Sequence, residues 1–346
     1  MSHIGDKAAK TTITTSSEGK GARLSVKLSV TPRTGEQSLM ERYGVSKYDL
    51  GVGYPVPEAL KAMIPANVPD YVDEGEDYVQ RIMRALYYFR QTALIGPSGT
   101  GKTHIVYLVA QIAGLPLWEI NCGLQTSVYD MFGRFVGLGK DNWIDGTIVS
   151  WCRYGGILYL DEANMMKQDI ATRLNPILDT RGHMVLNEKD NEVIERNPFG
   201  YVVISMNPYS SEFSGTKPLN AAFRRRMSVW IDFDYLSVGT KISQREVKML
   251  AERSKIPMDV AEKVIRVGAE VRKRYKSGDL PYGPSVGDLL NWATLIRDGL
   301  DPKAAADETL VSLTSDDAEI QQIVRRIVAL VFGAGESKPV EKTEHP

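Results

Sequence analysis

Apolar residues recur along this chain with two periods, and the switch between them divides it. Through the middle, short apolar runs stand between longer amphipathic stretches. Gln91-Thr92-Ala93-Leu94-Ile95, Leu117-Trp118-Glu119-Ile120, Ile157-Leu158-Tyr159-Leu160, Tyr201-Val202-Val203-Ile204-Ser205 and Val229-Trp230-Ile231-Asp232-Phe233 read as buried strands. Between them, Tyr78 to Arg90, His104 to Gly114 and 167 to 179 carry helical apolar spacing. Alternation of this kind predicts an α/β fold, a parallel sheet covered by helices on both faces. After about residue 236 the strand runs stop. Segments 241–255, 258–276, 285–297 and 316–332 keep a helical period, which predicts a second, all-helical unit.

The flanks read differently. Residues 1–40 are rich in Ser, Thr, Lys and Gly, the composition of a flexible arm. Within it, Arg23 to Val30 alternates apolar and polar like a strand that could add to a sheet edge. Residues 44–75 carry Pro55, Pro57, Pro65 and Pro69 and read as an extended lead-in. The expected organisation is an arm at 1–40, an α/β domain at 41–235, a helical domain at 236–332 and a disordered tail at 333–346.

Composition narrows the function classes. The chain has 346 residues and a formal net charge of −1, so no global field draws it to nucleic acid or anionic membrane. Cys122 and Cys152 form no C-x-x-C and the histidines are scattered, so no metal cluster is expected and both cysteines read as core residues of a reducing compartment. No apolar run approaches the roughly 18 residues of a membrane span, and the N-terminus has no apolar signal core. A cytoplasmic location is expected.

Gly96-Pro97-Ser98-Gly99-Thr100-Gly101-Lys102-Thr103 fits G-x-x-x-x-G-K-[ST] at every fixed position, after a strand and before a helix opening with His104. Its glycines let successive N–H groups face one anion, and the helix aims its positive end at the same point. Lys102 would reach the β- and γ-phosphates, and the Thr103 hydroxyl would bind Mg²⁺. The strand Ile157 to Leu160 ends in Asp161-Glu162. Asp161 would hold the same Mg²⁺ and Glu162 would polarise the attacking water. The other reading of this acidic pair is a helix start favoured by the dipole. Asn207, in Ser205-Met206-Asn207-Pro208, sits at another strand tip and suits a residue that positions water; Asn-Pro also opens turns. Phe223-Arg224-Arg225-Arg226-Met227 is either a solvated helix end or an arginine delivered to a neighbour's γ-phosphate.

That order of motifs resembles an AAA+ ATPase, over roughly residues 55 to 332. Asp130 to Phe135 and Trp143 to Thr147 resemble the helix-2 insertion of the MoxR branch, and His183 to Leu186 with Val193 to Arg196 resemble its hairpin before the sensor strand. Within MoxR the chain is nearest the CbbQ/NorQ subgroup, with some likeness to the cobaltochelatase small ATPase subunit. The resemblance implies a three-layer αβα P-loop domain with a helical lid. It implies ATP and Mg²⁺ as cofactors, and hydrolysis at the interfaces of a homo-oligomeric ring, usually a hexamer. It also implies a separate von Willebrand factor A-domain partner and a target enzyme that is remodelled, activated or loaded with metal. Arg226 aligns best with the family's finger and Arg225 second. Gly287 stands where MoxR lids carry a nucleotide-sensing arginine. Phe135, Lys140 and Trp143 of the insert either touch a target or form a solvated hairpin with an aromatic packed underneath. Two other functions stay open: a nucleic-acid-directed motor or restriction-type subunit, and a module that holds nucleotide with little turnover.

Overall fold

The computed structural model describes residues 38–123, 125–137, 142–208 and 219–333. Most of the expected arm with its strand-like run at Arg23 to Val30, Lys140, and the expected tail from residue 334 lie outside them. No helix among the described residues is long and apolar enough to cross a membrane.

A five-stranded parallel sheet carries the first part of the molecule. Its strands are β1 (Gln91–Ile95), β2 (Leu117–Asn121), β5 (Gly156–Asp161), β8 (Gly200–Met206) and β9 (Trp230–Asp232), in the order β2-β5-β8-β1-β9. The register puts Ile95 opposite Met206 and Leu160 opposite Ile204, so the carboxyl ends of β1, β5 and β8 finish at one level. Two antiparallel hairpins are attached, β3 (Gly133–Phe135) with β4 (Trp143–Asp145), and β6 (His183–Leu186) with β7 (Glu192–Glu195).

The two-residue period of the strands sorts their side chains between two cores. Leu94, Tyr159, Val203 and Ile231 join one, where α2 (Tyr78–Phe89) and α3 (Lys102–Ala113) pack after a short α1 (Leu39–Arg42). Ala93, Leu158, Leu160 and Ile204 join the other, covered by α4 (Val128–Phe132), α5 (Thr147–Tyr154) and α6 (Gln168–Leu178). Helices on both faces are what near-continuous apolar strands require. A four-residue α7 (Ala221–Arg224), capped by Asn220, leads from there to β9.

The C-terminal helices build a third core. They are α8 (Gln244–Ser254), α9 (Met258–Lys276), α10 (Val286–Arg297), α11 (Pro302–Ala306), α12 (Ser312–Thr314) and α13 (Ala318–Phe332). Leu250, Val264, Trp292 and Val324 meet at its centre. The expected strands and long helices are present, with ends moved by one to three residues. The lead-in departs from expectation, because Ser46–Tyr48 and Glu58–Met63 form 3₁₀ turns there. Single turns bury too few residues to leave a periodic trace. The same holds for α11 and α12.

Trp151 of α5 is fully buried, donates from Nε1 to the Gly156 carbonyl at 3.0 Å, and lies beneath the Arg196 guanidinium at 5.4 Å. Trp151→Ala removes the largest side chain beneath that face. It is expected to cost about 3–5 kcal/mol in urea unfolding, seen as a lower midpoint with an unchanged slope.

Candidate functional site

The loop Gly96–Gly101 leaves β1 between its neighbours β8 and β9 and feeds α3. Gly101 is the N-cap of α3 at φ +86°, and Gly99 turns at φ +77°. Space demands glycine at both positions as well. A Cβ on Gly99 would stand 2.5 Å from the Ser285 Cβ, and one on Gly101 2.9 Å from the Tyr71 ring. The Thr100 hydroxyl closes the loop on the Pro97 carbonyl at 2.9 Å.

Lys102 is folded under this loop. Its ammonium donates to the carbonyls of Gly96 and Pro97 at 2.7 Å each and to Asn207 Oδ1 at 3.2 Å. Burial pushes it down to about 8, while the charges of Asp161 and Glu162 pull it back up. Asn207, just past the end of β8, therefore orients the lysine and lines the cleft.

Thr103 and Asp161 come together as the motifs require. The Thr103 hydroxyl donates to Asp161 Oδ2 at 3.2 Å. The other Asp161 oxygen accepts from the Ser205 hydroxyl and from the Glu162 N–H, the latter at 3.0 Å. The Tyr159 hydroxyl sits 3.1 Å from both the Thr103 and the Ser205 hydroxyls. Burial drives that phenol well above its ordinary value, so it remains a neutral donor. A hydroxyl and a carboxylate at this spacing suit a hard cation completed by phosphate oxygens and water, as Mg²⁺ prefers.

Glu162 holds a left-handed conformation, φ +52° and ψ +42°, which costs a non-glycine residue about 1–2 kcal/mol. The turn leaves its carboxylate exposed with no partner among the described residues while its N–H locks Asp161. Strain at a residue with a free carboxylate is typical of functional positions.

The cleft beside these groups holds about 450 Å³ and is shared between the sheet and the C-terminal helices. Val72 and Met249 form part of its apolar wall, with Val286, Gly287 and Leu290 of α10 opposite the loop. Gly287 lines the cleft, and a Cβ there would meet the Ser285 Oγ at 3.5 Å, an ordinary contact. His104 is on the wall with its ring held in place, since Nε2 donates to the Pro69 carbonyl at 2.8 Å.

The arginine run lies apart, at α7. Arg224 stacks on Trp230 at 4.3 Å. Arg226 donates to the carbonyls of Asn175 and Ala222 at 2.9 and 2.7 Å and pairs with Asp179 at 3.3 Å. Arg225 is exposed and has no partner among the described residues.

Sequence reading passes over three groups that shape the site. Tyr159 and Ser205 hold the cation-binding pair, and Tyr71 donates to the Thr100 carbonyl at 2.9 Å. The only advance signal for the first is a tyrosine two places before Asp161 in an otherwise aliphatic strand. Tyr71 stands in the proline-rich lead-in and has no local mark.

Comparison with known proteins agrees with this geometry. Residues 91–227 match the family described as the AAA domain of the dynein-related subfamily, and residues 246–331 match the CbbQ/NirQ/NorQ C-terminal family. The chain is 31% identical over 265 residues to the denitrification regulatory protein NirQ of Pseudomonas aeruginosa, covering 76% of this chain and 97% of that protein. It is 29% identical over 269 residues to protein NorQ of Paracoccus denitrificans, covering 77% and 95%. Against protein CbbQ of Hydrogenophilus thermoluteolus the figures are 30% over 259 residues, 74% and 92%.

The depressed Lys102 gives a pH prediction. A bound polyphosphate favours the ammonium, so binding raises the lysine's pKa. Below about pH 8 the ammonium is charged in both states and contributes no pH dependence. Above it, binding must take up a proton, and affinity for ATP falls by up to about tenfold per pH unit. Calorimetry in buffers of different ionisation enthalpy is expected to show proton uptake approaching one at pH 9, absent in Lys102→Met.

Proposed function

We propose, because this chain belongs to the CbbQ/NirQ/NorQ group of MoxR-type AAA+ ATPases, that it hydrolyses ATP in a ring of identical subunits and uses the cycle to activate a target enzyme. Nucleotide binding and ATP hydrolysis follow from the family. In this reading Lys102 and the loop amides hold the phosphates, and Thr103 and Asp161 hold Mg²⁺. Glu162 accepts the proton of the attacking water, and Asn207 orients that water.

The observation that carries the ring is the state of the arginines. Arg253 of the cleft wall is tied to the Asp70 carbonyl at 2.7 Å, and Arg272 is tied to Glu246 at 2.9 Å. The charge that builds on the terminal phosphate thus needs an arginine from elsewhere. Arg225 has the properties of such a donor: exposed, without a partner among the described residues, and fixed at its base by the Asn220 cap. Arg226 is better suited to holding α7 against α6, where its contacts already lie. This reverses the order of the two arginines given by alignment.

A target-facing surface is supported by the two hairpins. Phe135, Ile144, Val185 and Val193 are exposed on them. Arg153 ties one hairpin to the other, pairing with Asp145 of β4 and Glu192 of β7 at 2.8 Å each. Relatives named as denitrification regulatory proteins support an enzyme as target, and the MoxR resemblance supports a von Willebrand factor A-domain partner and a hexamer.

Light scattering tests the assembly. Wild type and Glu162→Gln are expected to form a ring near six subunits with ATP and Mg²⁺, the variant retaining ATP without turnover. Arg225→Ala is expected to lower kcat by about 10³–10⁵-fold with binding retained. Full loss in Arg226→Ala with normal turnover in Arg225→Ala would return the role to Arg226. A monomer with undiminished activity would overturn the ring.

A further inference from the structure

The joint between the phosphate loop and the C-terminal helices runs through one hydroxyl. Tyr235 follows β9, and its phenol donates to the Ser98 carbonyl of the loop at 2.8 Å. The same oxygen lies 3.3 Å from the Gly283 carbonyl, three residues before α10. A phenol has a single proton to donate, so these acceptors compete for it. One belongs to the phosphate loop and the other to the helical lid.

The tyrosine is held from behind. The Arg272 guanidinium lies 4.7 Å over its ring. Arg272 also donates to Pro284 O at 2.8 Å, Ser237 O at 3.2 Å and Glu246 Oε1 at 2.9 Å, which gathers α8, α9, the approach to α10 and the β9 linker onto one side chain. Arg272 and Glu246 are almost wholly buried, yet one nitrogen of the first and one oxygen of the second have no partner. Both residues line the nucleotide cleft. A buried pair with unused hydrogen-bonding capacity has room for a second arrangement. Meanwhile Gly287, on the same wall, offers no side chain at all.

We propose that Tyr235, seated on Arg272, is the positioning residue through which the phosphate loop sets the lid. With the hydroxyl hydrogen-bonded to Ser98 O, loop and lid are joined. When phosphates reorient the Ser98–Gly99 peptide, the hydroxyl turns its hydrogen bond to Gly283 O and the lid is uncoupled from the loop. Because Gly99 touches Ser285, the loop cannot reorient without disturbing that helix. This rests on the ATPase reading above and adds what couples its site to the lid.

The test is Tyr235→Phe in the full chain, which removes one oxygen and leaves the ring on Arg272. Expected are a melting temperature within a few degrees of wild type, an ATP affinity within about threefold, and kcat lowered by about tenfold. Hydrogen exchange of α8 to α10 is expected to differ between non-hydrolysable ATP and ADP in wild type and to be equal in the variant. Unchanged kcat and preserved nucleotide-dependent exchange in Tyr235→Phe would overturn the role of the hydroxyl. The exchange readout needs binding alone, so an inactive wild type would fail the ATPase reading without deciding this one.

Discussion

The arrangement of this molecule depends on a phosphate loop that has no slack. Its backbone passes through left-handed turns at Gly99 and Gly101 while Ser285 presses on the first and Tyr71 on the second. Two phenols hold its carbonyls, Tyr71 at Thr100 and Tyr235 at Ser98. A loop packed this closely cannot change shape alone. The lead-in that carries Tyr71 is in turn fastened to α8, by Ser243 to Glu74, Arg245 to the Asp73 carbonyl and Arg253 to the Asp70 carbonyl. Movement at the phosphates is therefore passed to both walls of the cleft.

The charges of the site are balanced before any ligand arrives. Lys102 is solvated by carbonyls and Asn207, and Asp161 accepts from two hydroxyls and one N–H. The Lys102 ammonium has three protons and all three are taken, so a bound phosphate must replace at least one of these partners. Glu162 alone is left open, on a strained turn, and it is the group to which the reading assigns proton transfer. Structure and proposed chemistry agree there because a base must reach water while its neighbours must not move.

Much of the fold is legible because its cause is local. The five sheet strands are continuous apolar runs, and α2, α6, α8, α9, α10 and α13 each hold an apolar stripe long enough to read. The hairpin β6–β7 is legible only through the family resemblance of His183 to Leu186 with Val193 to Arg196. The short α4 and α5 are harder to read, because each makes its core contact through a few residues set in an insertion. Of the site, the eight-residue loop and Asp161-Glu162 are legible, since phosphate chemistry fixes both residue type and spacing.

The sequence by itself determined where the glycine loop and the Asp161-Glu162 pair stand, and that a parallel sheet would carry them, because strand period and glycine-loop spacing act over a few residues. Only the tertiary structure decided which arginine has no partner among the described residues, because Arg224, Arg225 and Arg226 are alike in sequence and differ only in the Trp230 ring, the Asp179 carboxylate and the solvent they meet. It likewise decided that Tyr159, Ser205, Tyr71 and Tyr235 belong to the site. Their hydroxyls reach it from distant parts of the chain, and a contact made across such separations has no period to read.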